Sequence, residues 1–283
     1  MKYGAHIFLW ISRWGDEHLP LLDHARELGL SWLEIAVGDE VVFSPRGVRA
    51  RAIAAGIEIV MSPGGVWPAA YDLSSPEPGE RRAALAWHQQ QIARAGDAGA
   101  VAYTGAIYGH PGTVARRVPT RDEYGYIADG LHALAAAAAT AGMRLVVEPM
   151  SHFRTNIVTT PRQALELITL ADHDNLGVLI DTYHMVTELR DFAAAITTIG
   201  ARLWGIHACE SDRGVPGGGL IPWPAIGTAL HAGHFAGYIG LESYHSGADN
   251  LAVARGLFND PCPDGDRFVR QGVQFLRGML EGA

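Results

Sequence analysis

The sequence predicts an α/β protein folded as a single (β/α)8 (TIM) barrel domain over residues 1–283. The length of 283 residues allows either one α/β barrel of roughly 250 residues or two smaller domains. Short apolar runs alternate with longer helical stretches eight times, which is the count of such a barrel. No Ser/Pro-rich linker divides the chain, so its Gly/Pro-rich stretches are interpreted as long loops of one domain.

The eight predicted strands are short runs of β-branched and apolar residues. In chain order they are Gly4–Trp10, Trp32–Val37, Glu58–Ser62, Ala100–Ile107, Arg144–Met150, Leu176–Thr182, Leu203–Cys209 and Tyr238–Ser243. The alternative fold, a doubly wound open sheet, normally carries a glycine-rich fingerprint after its first strand. Here the first strand leads into Ile11-Ser-Arg-Trp-Gly15, without G-x-G-x-x-G, and the chain has no P-loop motif. The strand count therefore favours the barrel.

Ordinary start signals precede several of the predicted helices. Ser44-Pro45 and Thr160-Pro161 each combine an N-cap residue with proline at the first helical position, and Thr120 forms a capping box with Glu123. Glycines mark four helix ends: Gly29, Gly56, Gly99 and Gly142. The last helix is predicted near Asp266–Leu280.

Four long loops connect these elements, and barrel loops that follow strands carry the chemistry of the fold. They are Ser62–Gly79, Gly109–Thr120, Arg213–Pro224 and His245–Asp266.

Composition and charge restrict the class of function. Hydrophobic residues make up 48% and charged residues 18%, which excludes a disordered chain. A formal net charge of −8, without any run of basic residues, argues against nucleic-acid binding and favours a small neutral ligand. Two cysteines, Cys209 and Cys262, are too few for a disulfide framework, so a reducing, cytoplasmic location is predicted. The apolar stretch from Ala133 to Met143 is too short to span a membrane, and no membrane association is expected.

Four polar residues stand at the ends of the last four predicted strands. They are Glu148, Asp181, His207 and Glu242, separated by 33, 26 and 35 residues, or about one βα unit each. At equivalent strand ends they are expected to converge on one side of the barrel mouth. Three carboxylates and an imidazole suit a divalent cation such as Mn²⁺, Mg²⁺ or Co²⁺. Each residue alone is also compatible with a buried, hydrogen-bonded strand end, but three buried carboxylates together are costly unless paired or metal-bound.

The segments VVEPMSHFRTNIVTT, IDTYHM, GIHACESDRGVPGGGLIPW and GLESYH resemble the ketose 3-epimerases of the D-tagatose and D-allulose 3-epimerase type. These enzymes belong to the sugar phosphate isomerase/epimerase superfamily, which is related to xylose isomerase. The resemblance is concentrated between Glu148 and Tyr244. It implies the same four metal ligands, with Mn²⁺ as the first candidate, and a small-molecule sugar substrate.

The resemblance also implies roles in catalysis. Glu148 and Glu242 would be the acid/base pair, and His184 and Arg213 would hold substrate oxygens. Inversion of a carbon next to a carbonyl needs two bases, one on each face, and a cation stabilises the enediolate between the two proton transfers. From its sequence neighbourhood alone, Arg213 is equally compatible with a loop ion pair to Asp212 or Glu210.

Other residues are expected in the substrate pocket from their positions near strand ends. The histidines are His6 and His110. The aromatic residues Phe8, Trp10, Trp67 and Tyr108 are expected to form a wall over a sugar face, although each is also compatible with packing. By analogy with other barrels we expect association, either with copies of the chain or with another subunit.

The sequence departs from the resemblance at one position. Ketose epimerases read N-R-[FY]-E after the first metal glutamate, whereas this chain reads Ser151-His-Phe-Arg154. Arg154 therefore stands where the family has a second glutamate. It is expected to pair with an acidic group of the substrate or with Glu210, or to help bind an oxidised sugar.

Three alternatives remain at this point. The same deprotonation followed by β-elimination would make the protein a lyase or dehydratase of 3-oxo-sugars, 3-oxo-glycosides or inososes, with His110 or His152 as the acid for the leaving group. An endonuclease on the same barrel is opposed by the negative charge. A non-catalytic sugar-binding barrel is opposed by the presence of both Glu148 and Glu242.

Overall fold

The computed structural model describes residues 1–64, 67–112, 114–247 and 249–280. Residues 65–66, 113, 248 and 281–283 of the predicted domain, and so parts of its long loops, lie outside the described residues. Eight parallel strands pair in sequence order and β8 pairs with β1, which confirms the predicted closed barrel. The strands are β1 (Lys2–His6), β2 (Trp32–Ala36), β3 (Glu58–Ser62), β4 (Ala100–Gly105), β5 (Arg144–Val147), β6 (Leu176–Asp181), β7 (Leu203–Ala208) and β8 (Tyr238–Leu241).

The α-helices of the described residues follow the strands and surround the barrel. They are α1 (Pro20–Glu27), α2 (Pro45–Ala55), α3 (Pro78–Asp97), α4 (Arg121–Thr140), α5 (Pro161–Leu170), α6 (Thr182–Met185), α7 (Phe192–Ile199), α8 (Trp223–Ala232), α9 (Leu251–Ala254) and α10 (Gly265–Leu280). No described helix combines the length and the hydropathy that crossing a membrane requires.

The predicted helix boundaries are confirmed by their capping contacts. The Ser44 hydroxyl accepts from the Gly47 amide at 3.1 Å, and the Thr120 hydroxyl accepts from the Glu123 amide at 3.2 Å. The Thr160 hydroxyl completes a third cap in the same way. The four glycines predicted to end helices all have positive φ, between 65° and 84°.

Seven of the eight strands, all except β3, were predicted too long at their carboxyl ends. The β1 strand ends at His6 instead of Trp10 because Ile7–Leu9 forms a 3-10 turn, in which the Phe8 amide donates to His6 Nδ1 at 3.1 Å. The β5 strand ends at Val147 instead of Met150. The apolar residues just beyond β1 are buried by the surrounding layers without strand pairing, so hydrophobicity alone overstates the strand length.

The barrel interior is filled at its lower part by a small apolar cluster around Trp32. Its members are Trp32, Val60, Ala102, Val146 and Leu179. The Trp32 ring fits because its neighbours lack side chains: a Cβ at Gly4 would lie 2.2 Å from ring carbons, and one at Gly240 would lie 2.5 Å away. The larger apolar core lies between the strands and the helices. Together the two cores leave the carboxyl ends of the strands for polar side chains.

Candidate metal centre and active site

A layer of buried polar side chains covers the apolar cluster inside the barrel. Side chains alternate along a strand, so residues two apart face the same side. The position two residues after each interior residue carries a polar side chain. In six strands this position lies within the strand, and in β5 and β8 it directly follows the strand. We call these eight residues the polar layer: His6, Glu34, Ser62, Thr104, Glu148, Asp181, His207 and Glu242. All eight are buried, with exposures of 8% or less.

Six residues of the polar layer, all except Thr104 and Asp181, line a cavity of ≈ 410 Å³. The cavity walls come from the loops that follow the strands, as the sequence predicts. Phe8 and Trp67 supply aromatic surface, and Arg154, Arg213 and Arg255 supply positive charge. The volume and the mixture of apolar walls with a few polar groups suit a small ligand.

The four residues predicted as metal ligands come together in this layer. One potential ligand atom from each of Glu148, Asp181, His207 and Glu242 lies within 4.8 Å of the others. Strand register explains the meeting, because Asp181 is the direct neighbour of His207 across the β6–β7 pair. Glu148 and Glu242 directly follow β5 and β8.

Polar atoms without hydrogen-bond partners indicate that this group fits a cation. Asp181 Oδ2, His207 Nδ1 and Glu242 Oε2 are buried and lie within ion-pair distance of charged neighbours, but they make no hydrogen bond of acceptable geometry. Buried polar atoms are normally satisfied, so three such atoms at one place need an explanation. Carboxylate oxygens and an imidazole nitrogen form a donor set for a divalent metal ion.

Glu34 orients the imidazole of His207. Its Oε2 lies 2.9 Å from His207 Nε2, while the Thr104 hydroxyl donates to its other oxygen at 3.2 Å. With the proton on Nε2 held by Glu34, a cation that displaces the proton of Nδ1 would bind the lone pair of that nitrogen. A carboxylate behind a ligating histidine is a common support of metal sites. The prediction from the sequence did not include Glu34.

Arg213 is the cation nearest the ligand group. Its Nη2 lies 2.7 Å from Asp181 Oδ2 and its Nη1 lies 3.3 Å from Glu242 Oε2. The guanidinium also lies over the ring of Tyr183 at 4.3 Å, with Tyr244 farther away at 5.6 Å. The residue is 2% exposed and has φ of 66°. The alternative ion pair with Asp212 or Glu210 does not form.

Burial and mutual repulsion shift the ionisation of the carboxylates. Burial raises the pKa of Glu148 well above its ordinary value, and Glu242 and Asp181 raise it further. Burial also raises the pKa of Asp181, to about 6, in spite of Arg213. Burial opposes ionisation of Glu242, but Arg213 and His207 outweigh it, so this pKa lies well below its ordinary value. When all three carboxylates are ionised, their negative charge exceeds the positive charge of Arg213 and His207, and a divalent ion would supply the rest.

His184 and His6 lie beside the ligand group as predicted. Burial, together with the nearby charge of Arg213, holds the pKa of His184 well below its ordinary value, so its ring is neutral at pH 7. His184 Nε2 lies 3.4 Å from Arg213 Nη2. His6 lines the cavity with its ring stacked on Phe8 at 3.9 Å. Trp67 also lines the cavity, backed by Trp87 at 5.5 Å.

Three predicted pocket residues lie outside this cavity. Trp10 donates to Asp266 at 2.8 Å and so attaches the turn after β1 to the last helix. Tyr108 is fully buried in the core, and its hydroxyl donates to the Val158 carbonyl. His110 lies behind Trp67, whose carbonyl is 2.8 Å from its Nε2, and faces a separate, smaller cavity. These three side chains lie behind the cavity walls and do not line the cavity.

The two histidines predicted as acids for the lyase alternative also do not line the cavity. His152 is exposed, and its Nδ1 lies 2.5 Å from Glu188 Oε1. His110 faces away, as described above. Neither candidate among the described residues can protonate a leaving group in the cavity, so elimination has less support than epimerisation.

Arg154 lines the cavity but does not pair with Glu210. Glu210 accepts instead from the Gly217 amide at 2.7 Å and the Trp223 indole at 2.6 Å, which orders its own loop. No carboxylate of the described residues lies within ion-pair distance of Arg154.

Two further cavity residues, Tyr244 and Arg255, were missed from the sequence. Tyr244 directly follows the Glu242 motif, and its hydroxyl donates to Glu242 at 3.0 Å. Its position two residues after a predicted ligand was a usable signal. Arg255 lies deep in the last long loop, where no local pattern indicates that a side chain turns back towards the barrel.

Comparison with known proteins agrees with this geometry. The family described as xylose isomerase-like TIM barrel matches residues 22–278. The D-psicose 3-epimerase of Ruminiclostridium cellulolyticum is 27% identical, over 99% of this chain and 98% of that protein. The L-ribulose 3-epimerase of Mesorhizobium japonicum is 27% identical, over 100% of this chain and 95% of that protein. A solved structure of L-ribulose 3-epimerase superimposes with a TM-score of 0.92 at 26% identity, covering 99% of this chain and 95% of that one.

Proposed function

The chain belongs to the xylose isomerase-like TIM barrel family, and from this premise we propose that it is a divalent-metal-dependent epimerase of keto-sugars. The observation that carries the proposal is the buried group of four potential ligands, which contains two glutamates facing one cavity. The similarity to D-psicose and L-ribulose 3-epimerases over nearly the whole chain supports the same reaction class.

Epimerisation next to a carbonyl requires an acid and a base on opposite faces of one carbon. Glu148 and Glu242 take these roles. They directly follow β5 and β8, and His207 Nδ1 lies 3.9 Å from Glu148 and 2.9 Å from Glu242. Their pKa values are displaced in opposite directions, so Glu148 holds a proton more readily than Glu242 does.

The proton transfers balance within this pair. The ionised glutamate removes the proton from the carbon next to the carbonyl, and the electron pair of the C–H bond forms the double bond of an enediolate. The protonated glutamate then returns a proton to the opposite face and restores the carbonyl with inverted configuration. Arg213, fixed by Asp181, stabilises the developing oxyanion, and the neutral His184 ring hydrogen-bonds a substrate hydroxyl.

Glu148, Asp181, His207 and Glu242 would hold the metal ion. When bound, the ion supplies Lewis-acid stabilisation of negative charge on the substrate oxygens. The three-oxygen, one-nitrogen donor set supports Mn²⁺ first, with Mg²⁺ or Co²⁺ as substitutes.

Deuterium exchange tests the proposal directly. The Mn²⁺-loaded protein is incubated in D₂O with a panel of five- and six-carbon ketoses, with and without ionised substituents, and products are analysed by NMR. We expect deuterium at the carbon next to the carbonyl together with the epimer. Glu148→Gln and Glu242→Gln should each remove formation of the epimer, and their Mn²⁺ content is measured in parallel to separate proton transfer from metal loss. Absence of exchange with every ketose would overturn the proposal.

A further inference from the structure

Two arginines, Arg154 and Arg255, line the cavity without any carboxylate partner among the described residues. We propose that they form a subsite for an anionic substituent of the substrate, a carboxylate or a phosphate ester. The inference rests on the proposed function, because it concerns the keto-sugar that this cavity receives. It makes the substrate an ionised sugar instead of a neutral ketose.

The two side chains reach the cavity from loops on different strands. Arg154 lies in the loop after β5, and its carbonyl accepts from the Gly112 amide at 2.7 Å. A Cβ at Gly112, where φ is 102°, would lie 3.8 Å from Arg154 Nη2, so the guanidinium packs along bare backbone. Arg255 follows α9, and its Nη2 donates to the Gly64 carbonyl. Main-chain groups therefore position both cations, and none of these contacts neutralises their charge.

The carboxylates of the cavity are already committed elsewhere. Of the carboxylates that line the cavity, Glu242 contacts Arg213, and Glu34 and Glu148 lie 2.9 Å and 3.9 Å from His207. Two partly enclosed cations near each other are unfavourable unless an anion joins them.

The ionisation of Arg154 agrees with this environment. Burial lowers its pKa, and the like charges of Arg255 and Arg213 lower it further. An anion between the guanidinium groups would relieve this repulsion. The planar guanidinium fork matches the geometry of carboxylate and phosphate oxygens, whereas a sugar hydroxyl offers no charge to neutralise.

The test compares the binding of three ligands that differ at one end. They are D-fructose, its carboxylate analogue D-fructuronate, and D-fructose 6-phosphate. Calorimetry on the Mn²⁺-loaded protein measures the dissociation constants for the wild type, Arg154→Gln and Arg255→Gln. The control variant is Arg162→Gln, whose side chain is 71% exposed on α5 and pairs with Glu166 outside the cavity. Arg154→Lys keeps the charge and shows whether any loss in the glutamine variant reflects misfolding.

We expect at least one anionic ligand to bind about 10- to 100-fold more tightly than D-fructose. Arg154→Gln and Arg255→Gln should each remove most of this preference, Arg154→Lys should retain part of it, and Arg162→Gln should retain all of it. A stronger response to the phosphate identifies a phosphate ester, and a stronger response to the uronate identifies a sugar acid.

Equal binding of all three ligands would overturn the inference, as would an anion preference that survives both glutamine substitutions. Deuterium exchange, measured on the same samples, reports separately on the proposed function. Exchange without anion preference removes only the anionic subsite, whereas anion preference without exchange removes only the epimerase assignment.

Discussion

Substitution of Glu34 tests how the barrel interior controls the metal centre. Glu34 touches no substrate position that we assign; it acts through His207, whose Nε2 lies 2.9 Å from its carboxylate. Glu34→Gln keeps the shape and allows the amide oxygen to accept from His207, but it removes a buried negative charge. Glu34→Ala removes the acceptor as well and leaves the Thr104 hydroxyl, now 3.2 Å from Glu34, without its partner.

The expected magnitude follows from these contacts. Loss of a residue that supports a metal ligand typically lowers metal affinity about 10- to 100-fold. Glu34→Gln retains a neutral hydrogen bond and should lie near the lower value, about 1.4 kcal/mol. Glu34→Ala should lie near the upper value, about 2.7 kcal/mol. The loss of Mn²⁺ affinity should be larger at higher pH. At lower pH a proton competes with the metal ion for His207 in the wild type, and both substitutions lower the pKa of His207 and so weaken this competition.

Calorimetric titration with Mn²⁺ at two pH values measures both effects. Glu58→Gln is the matched control, because Glu58 begins β3 at the opposite end of the barrel, where it pairs with Lys2 at 2.6 Å. This control should bind Mn²⁺ like the wild type. If Glu34→Gln and Glu34→Ala also bind Mn²⁺ like the wild type at both pH values, then Glu34 does not support His207.

Three further predictions concern metal binding and packing. Mn²⁺ affinity should rise with pH, about tenfold per unit for each proton displaced, because Glu34 and Glu242 outweigh burial and raise the pKa of His207. Calorimetry in buffers of different ionisation enthalpy counts the displaced protons. An Mn²⁺ affinity that does not change with pH would contradict the prediction. Gly4→Ala should destabilise the fold by about 3 kcal/mol in urea unfolding, since its Cβ would collide with Trp32. Trp10→Phe should lower the free energy of unfolding by about 1 kcal/mol and leave substrate affinity unchanged, whereas a large loss of affinity would return Trp10 to the cavity.

Local sequence signals were sufficient for the fold because they are repeated. The same βα unit is indicated repeatedly by the eight apolar runs, by the Ser44 and Thr160 caps and by the glycines that end helices. An error at one boundary therefore does not alter the number of strands. The errors fall at the strand ends. There, Ile7 and Phe8 are buried as deeply as strand residues. The hydrophobicity of a residue indicates its burial and does not indicate whether it pairs in a strand.

Five of the eight residues of the polar layer were predicted from the sequence, and three, Glu34, Ser62 and Thr104, were missed. The prediction used polar residues that directly end apolar runs in the last four strands. Glu34 and Thr104 lie inside their strands, two positions after the interior residues Trp32 and Ala102. Counting two residues from each interior position would have found them, because the period of a strand is independent of where the strand ends.

The contents of the loops could not be derived in this way. Trp67 and His110 were predicted as equivalent, but Trp67 faces the cavity and His110 lies behind it. Arg255 reaches the cavity through a contact with Gly64, which is 191 positions earlier in the chain. Such placements depend on contacts between loops, and no local pattern contains them.

The pairing of β8 with β1 also sets the order in which the protein can become functional during synthesis. Glu242 follows the last strand, so a nascent chain that ends before Tyr238 has only three of the four proposed ligands. The same chain leaves β1 and β7 as open sheet edges, which are prone to pairing with other chains. One late segment therefore completes the metal site and closes the sheet in the same step, so an unfinished chain presents neither a full ligand set nor a closed barrel.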